Sequence, residues 1–264
     1  MKIKKYIFFT IAFVLLILFI KLLFFREKTA HNLPAILKSG RLSVVTDSSA
    51  LGFAMKGDSV FGFQYEIAKA FADSLNLELI ISTNNNFKEC LEGLRKGNYD
   101  IYADFIPITS EWQNEYLFTI PLKTSRQVLI QCKDSSEKII KNQVDLAGDT
   151  IYIPKNSPHK LRLKNLSDEI ADTIYLVEVN DVNSEDLVKW VAMGKIKQTI
   201  CDERDALKWK LQYPNLDISL PVGFDQQYGW MLYKESKQLQ KKLNDFLNDF
   251  IGSEAYWKIY RKYY

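Results

Sequence analysis

The sequence predicts an α/β protein of two lobes set behind an N-terminal membrane helix, and three observations point to it. An apolar run long enough to cross a bilayer opens the chain, strands and helices then alternate, and the alternation restarts after residue 131.

The opening run is Tyr6 to Phe25, apolar except for Thr10 and Lys21 and preceded by the basic stretch Met-Lys-Ile-Lys-Lys. A spanning helix needs about 20 such residues, and a lysine near its end can reach the interface with its ammonium. Signal-peptide cleavage requires small residues one and three positions before the cut. Phe24 to Ala30 offers no such pair, and no lipid-accepting cysteine follows the run. Residues 1–28 are therefore expected to stay attached as an anchor, with 29–40 as a linker.

Hydrophobic residues at 47% and charged residues at 25% are ordinary globular usage, which argues against disorder, a fibre or a many-pass membrane protein. Residues 1–40 hold seven of the basic residues against one acid, leaving 28 basic and 31 acidic residues beyond them. A mildly acidic body without a basic stripe is not that of a nucleic-acid binder. Cys90, Cys132 and Cys201 have neither CxxC nor zinc-ligand spacing, so no metal site or disulfide framework is expected.

Leu42–Thr46 has a strand pattern, and Phe63 to Leu77 places Ile67, Ala68, Phe71, Ala72 and Leu75 on one helix face. A strand follows at Leu77–Ser82, then a helix through Phe87, Cys90, Leu91 and Leu94 with Gly97 as its left-handed cap, then a strand at Tyr99–Ala103. The second series has strands at Arg126–Gln131, Thr150–Ile153, Ile174–Val179 and Ile196–Cys201. Its helices begin near Pro158, at Glu185 and at Glu203. A strand at Tyr228–Tyr233 and an amphipathic helix at Lys237–Ile251 close the chain. Such alternation implies parallel sheets covered on both faces.

One pattern occurs twice. Leu94-Arg-Lys-Gly97 leads through a strand to Asp104, and Val191-Ala-Met-Gly194 leads through a strand to Asp202. Ligands of open α/β sheets bind outside the carboxyl ends of the strands, so facing lobes would turn both carboxylates into one cleft.

The stretches Gly40–Val45, Phe61–Asp73, Leu94–Ile101, Ile108-Thr109 and Met193–Ile196, in this order, resemble the family 3 extracytoplasmic solute-binding proteins. In particular they resemble the non-catalytic N-terminal domain of membrane-bound lytic transglycosylase F. The resemblance runs from about Pro34 to Tyr264 and implies a Venus-flytrap (periplasmic-binding-protein) fold. Lobe 1 would be 41–129 plus 220–264, lobe 2 the inserted 130–219, with crossings near Ile130 and Leu220 and hinge closure on a ligand. It also implies a single-pass inner-membrane location with the soluble part in the periplasm. The ligand would be an amino acid derivative, peptide or muropeptide, and the partner an ABC permease or a murein enzyme.

Departures bear on the ligand. Amino-acid binders of this family carry a carboxylate-clamping arginine three residues after Ile-Thr; here Trp112 stands there, and an indole cannot imitate the bidentate fork. Pro107 replaces a small hydroxyl residue. Asp202 matches the aspartate that receives the ligand's amino group, and Ser157 the hydroxyl at the start of a lobe 2 helix.

Each candidate has a plainer alternative. Asp202 either binds an amine or caps the helix that begins at Glu203. Asp104 is either a cleft acid or a solvated strand end, and Trp112 either stacks on a ligand or packs between the lobes. Phe53 either covers the ligand or is a buried loop phenylalanine, and Ser157 either contacts ligand or only caps its helix. No cofactor and no catalytic group are expected. His31 and His159 are the two histidines, with no G-x-S-x-G and no G-x-G-x-x-G. Since the sequence ends where the resembling domain ends, no catalytic transglycosylase domain is expected. The second reading is a non-catalytic regulatory or targeting relative of a lytic murein transglycosylase.

Overall fold

The computed structural model describes residues 32–133 and 138–264. The expected span at 6–25 lies outside them, and among the described residues no helix is long and apolar enough to cross a membrane.

Part of the stretch read as a linker is helix α1 (Leu33–Ser39). The side chain of Asn32 caps it, Pro34 pre-sets its first turn, and Gly40 ends it at φ 70°. Ile36 anchors it to the core at 1% exposure. Lobe 1 continues with β1 (Arg41–Thr46), the hairpin β2 (Ala54–Lys56) and β3 (Ser59–Phe61), α2 (Phe63–Ser74), β4 (Glu78–Thr83), α3 (Phe87–Arg95) and β5 (Ile101–Pro107). After α4 (Ser110–Gln113), β6 (Tyr116–Phe118) and β7 (Lys123–Ser125), the chain enters lobe 2.

Lobe 2 comprises β8 (Gln127–Cys132), β9 (Thr150–Pro154), α5 (His159–Glu169), β10 (Tyr175–Val179), α6 (Ser184–Ala192), β11 (Gln198–Asp202), α7 (Glu203–Gln212) and β12 (Leu216–Asp217). The chain returns through β13 (Gln226–Tyr233), α8 (Lys237–Phe250) and α9 (Glu254–Tyr263) to lobe 1.

The first sheet runs β4-β1-β5-β13-β6 with β7 also on β13, and the second runs β10-β9-β11-β8-β12. The βαβ units are parallel as expected: β1 with β4 and β5, and β9 with β10 and β11. The sheets are nevertheless mixed. β13 is antiparallel to β5, β6 and β7, and β8 is antiparallel to β11 and β12. These strands arrive from the other lobe or from a short turn rather than over a crossover helix, so nothing forces them parallel.

The period of two along each strand builds a core on both faces. In lobe 1, Val44, Ile101, Ala103, Trp230 and Leu232 pack under α2, α8 and α9. Their neighbours Val45, Tyr102 and Met231 pack under α3 on the opposite face. In lobe 2, Leu129, Ile151, Ile153 and Ile200 meet Leu163 and Leu166 of α5, while Val128, Ile130 and Cys201 meet α6 and α7. The three cysteines are free and buried, as small core hydrophobes.

Ile130 and Leu220 both lie inside the second sheet region: Ile130 is opposite Thr199, and Leu220 accepts from the Leu129 N–H at 2.8 Å. The passages between sheets are Arg126 and residues 223–225, because β7 pairs with β13 while β8 belongs wholly to lobe 2.

Candidate ligand-binding cleft

The two sheets turn their strand ends toward each other, and the repeated pattern noted in the sequence takes shape there. Gly97 and Gly194 both sit at φ 68° after their helices, and the strands that follow carry Asp104 and Asp202 to one cavity between the lobes. Ser157 lines the same cavity.

Asp202 ends β11 and caps α7. Its Oδ1 accepts from the Arg204 N–H at 3.1 Å, so the capping reading of this residue holds together with its place in the cleft. Lys123 Nζ lies 3.0 Å from the same oxygen, while Oδ2 is buried without a partner. Lys123, from lobe 1, also lies 3.3 Å from Asp205 Oδ2 and 3.9 Å from the centre of the Phe105 ring. Its side chain is 4% exposed. Burial alone would lower the Lys123 ammonium, but Asp205 and Asp202 together raise it, so it stays charged.

On the lobe 1 wall, Asp104 Oδ1 accepts from the Phe105 N–H at 2.7 Å and Oδ2 from the Tyr102 hydroxyl at 3.4 Å. Burial pushes its carboxyl up to about 6, against the lowering effect of these bonds and of Lys123. Asp47, at the end of β1, is raised well above the usual range by burial and then by the charge of Asp104. Gly52 makes room for Asp47: a Cβ there would stand 1.8 Å from Asp47 Oδ1.

From lobe 2, Glu185 in the first turn of α6 faces the cavity and holds Lys189 at 2.6 Å. Burial raises the Asp205 carboxyl, and the Tyr264 hydroxyl donates to it at 3.1 Å. Burial and Lys123 hold His159 down to about 4, so its ring is neutral at ordinary pH, with a buried, unpartnered Nδ1. The cavity thus gathers Asp47, Asp104, Glu185, Asp202 and Asp205 around Lys123.

The lobes meet closely around it. Asn183 Nδ2 donates to the Ser48 carbonyl at 2.8 Å, Asn156 Nδ2 to Asn86 Oδ1 at 3.1 Å, and the Ala50 N–H to Glu185 Oε2 at 3.5 Å. Asn183 and Asp186 form a reciprocal capping box that fixes the start of α6 at this seam.

Two of the five candidates stand elsewhere. Phe53 packs edge-on against Tyr65, ring centres 5.2 Å apart, and does not line the cavity. Trp112 packs edge-on against Phe87 at 5.2 Å and borders a separate interlobe groove with Arg162 and Asn165. It is Phe87 that reaches the cavity. Ser157 Oγ accepts from the His159 N–H at 3.2 Å, a local turn bond at the head of α5. The same strand-end rule that selected Asp104 would have selected Asp47. No sequence signal marks Lys123, which begins a three-residue strand after a loop.

Residues 42–264 match the family described as bacterial extracellular solute-binding proteins, family 3. The chain belongs to that family. Its curated relatives include the membrane-bound lytic murein transglycosylase F of Desulfosudis oleivorans, 27% identical over 238 residues, covering 90% of this chain and 52% of the relative. The same-named protein of Aeromonas hydrophila is 27% identical over 236 residues, covering 89% of this chain and 47% of the relative. The chain spans about half the length of these relatives. Among solved structures, an ancestral arginine-binding protein bound to arginine superposes with TM-score 0.72 at 21% identity, covering 85% of this chain and 98% of that one. The holo arginine-binding protein of T. maritima gives 0.70 at 22%, covering 88% and 100%. An ancestral amino acid-binding protein, described as a precursor of cyclohexadienyl dehydratase, gives 0.72 at 20%, covering 87% and 98%. At these identities the likeness concerns the fold, which is the two-lobed solute-binding one.

Proposed function

We propose that this chain is a membrane-anchored extracytoplasmic solute-binding protein whose interlobe cleft captures a cationic, amino-acid-derived or peptide ligand, cell-wall peptides included. The observation that carries this reading is the surplus of carboxylates over ammonium groups in one partly dehydrated cavity. Uncompensated buried charge is costly, and a guanidinium or ammonium from a ligand relieves it with charge-assisted hydrogen bonds. Two of the structural neighbours are described as arginine-binding, which agrees with a basic ligand. With Trp112 in place of a clamping arginine, and turned away from the cavity, a free α-carboxylate finds no guanidinium there. The basic group is therefore better carried by a blocked or peptide-linked residue.

The anchor is residues 6–25, the lobes move about Arg126 and 223–225, and the delivered solute passes to a permease. A second reading, a non-catalytic targeting or regulatory relative of a murein enzyme, is favoured by the names of the curated relatives. Mass spectrometry of the small molecules released when the purified full chain is denatured tests the proposal. Basic peptides or amino acid derivatives are expected. Recovery of acidic or neutral solutes alone would refute it.

A further inference from the structure

The carboxylate pair at the head of α7 already holds a cation, and the chain itself supplies it. Lys123 Nζ stands 3.0 Å from Asp202 Oδ1 and 3.3 Å from Asp205 Oδ2, with the Phe105 and Tyr228 ring centres 3.9 and 5.4 Å away. Two carboxylates and two aromatic faces are what a primary ammonium needs when it leaves water. We infer that Lys123 is a specificity-determining plug, filling from within the place a solute's primary ammonium would otherwise take and confining a ligand cation to the Asp47–Asp104 end of the cleft. The inference rests on the reading of the cleft as a cation site.

Three facts support the plug. Lys123 comes from lobe 1 and its two carboxylates from lobe 2, so the bond also draws the cleft shut. Tethering gives the lysine ammonium an effective concentration of about millimolar or more, so a free amine does not displace it at ordinary solute levels. Finally, the site is built around the ammonium: Arg204 N–H and the Tyr264 hydroxyl hold the two carboxylates in place at 3.1 Å each.

Lys123→Ala keeps Cβ and removes a fragment equivalent to n-propylammonium, and this sets the test. Thermal unfolding of the full chain is followed in methyl-, n-propyl-, n-hexyl- and tetramethylammonium chloride at constant ionic strength. For K123A, saturating n-propylammonium is expected to raise Tm by about 5 °C. Methylammonium should give less, and tetramethylammonium, which has no N–H, nothing, while n-propylammonium shifts the wild-type chain less than K123A. Equal shifts for wild type and K123A, or a folded K123A indifferent to n-propylammonium, overturn the inference. Should K123A fold only when n-propylammonium is present, that supports it. The double variant K123A/D205N, with one carboxylate fewer to compensate, should keep the same order of responses at reduced size, and a shift from tetramethylammonium as large as that from n-propylammonium counts against the plug. Binding of basic solutes by the wild-type chain is read separately, so failure of the cleft proposal and failure of the plug give different results.

Discussion

Asp104→Asn isolates the electrostatic tension in the cleft. The carboxyl of Asp104 is raised from 3.8 to about 6, chiefly by burial. At 1.36 kcal/mol per tenfold change in proton affinity this corresponds to about 3 kcal/mol, a ceiling reduced to about 1–3 kcal/mol because the group faces cleft water. The folded-state value lies above the unfolded one, so the folded chain keeps a proton that the unfolded chain releases. The stability from this group is complete below about pH 4 and is lost as pH rises through about 6. Asparagine mimics the protonated acid. D104N should therefore be more stable than wild type by about 1–3 kcal/mol at pH 8 and nearly equal to it at pH 4. Urea unfolding of ligand-free protein at pH 4, 6 and 8, followed by tryptophan fluorescence, measures both. A difference that does not change with pH, or a D104N less stable at pH 8, would show that Asp104 is not held in a charge-averse site.

Other consequences follow from the same geometry. Gly52→Ala places a Cβ against Asp47, so affinity for a basic ligand should fall by about tenfold or more in calorimetry, with the loss of one charge-assisted contact. Trp112→Ala should cost about 2 kcal/mol of stability through lost packing on Phe87 yet leave ligand affinity within about twofold; a large affinity loss with stability intact would return Trp112 to the site. Trp230→Phe strands the buried Gln64 Oε1, now accepting from Trp230 Nε1 at 2.7 Å, and should lower stability by about 1–3 kcal/mol in denaturant unfolding.

Much of the fold was legible because local and global signals agreed. The 3.6 spacing of Ile67, Ala68, Phe71 and Ala72 marks the buried face of α2, and Gly97 and Gly194 stand where helices must end in a left-handed turn. The antiparallel arrival of β13 and β8 was not legible, since strand patterns carry no direction. Asp104 and Asp202 were singled out because their position at strand ends follows from topology, and both line the interlobe cavity. Asp202 shows that capping a helix and facing a cleft are not alternatives: one oxygen caps while the other stays unpartnered. For Trp112 the sequence left ligand stacking and packing between the lobes open, because its direction depends on how α4, four residues long, rests against α3. Lys123 and Asp205 lie far apart in sequence and are brought together from the two lobes.

The most direct test of the central claim changes ligand charge and almost nothing else. Isothermal calorimetry of the full chain with Nα-acetylarginine amide and with its neutral isostere Nα-acetylcitrulline amide, at pH 7.5, compares a guanidinium with a urea in the same cleft. A carboxylate-walled cavity predicts that the arginine derivative binds more tightly by about 30-fold or more, the cost of losing one partner of a buried charge pair. Equal affinities, or tighter binding of the neutral compound, would contradict it.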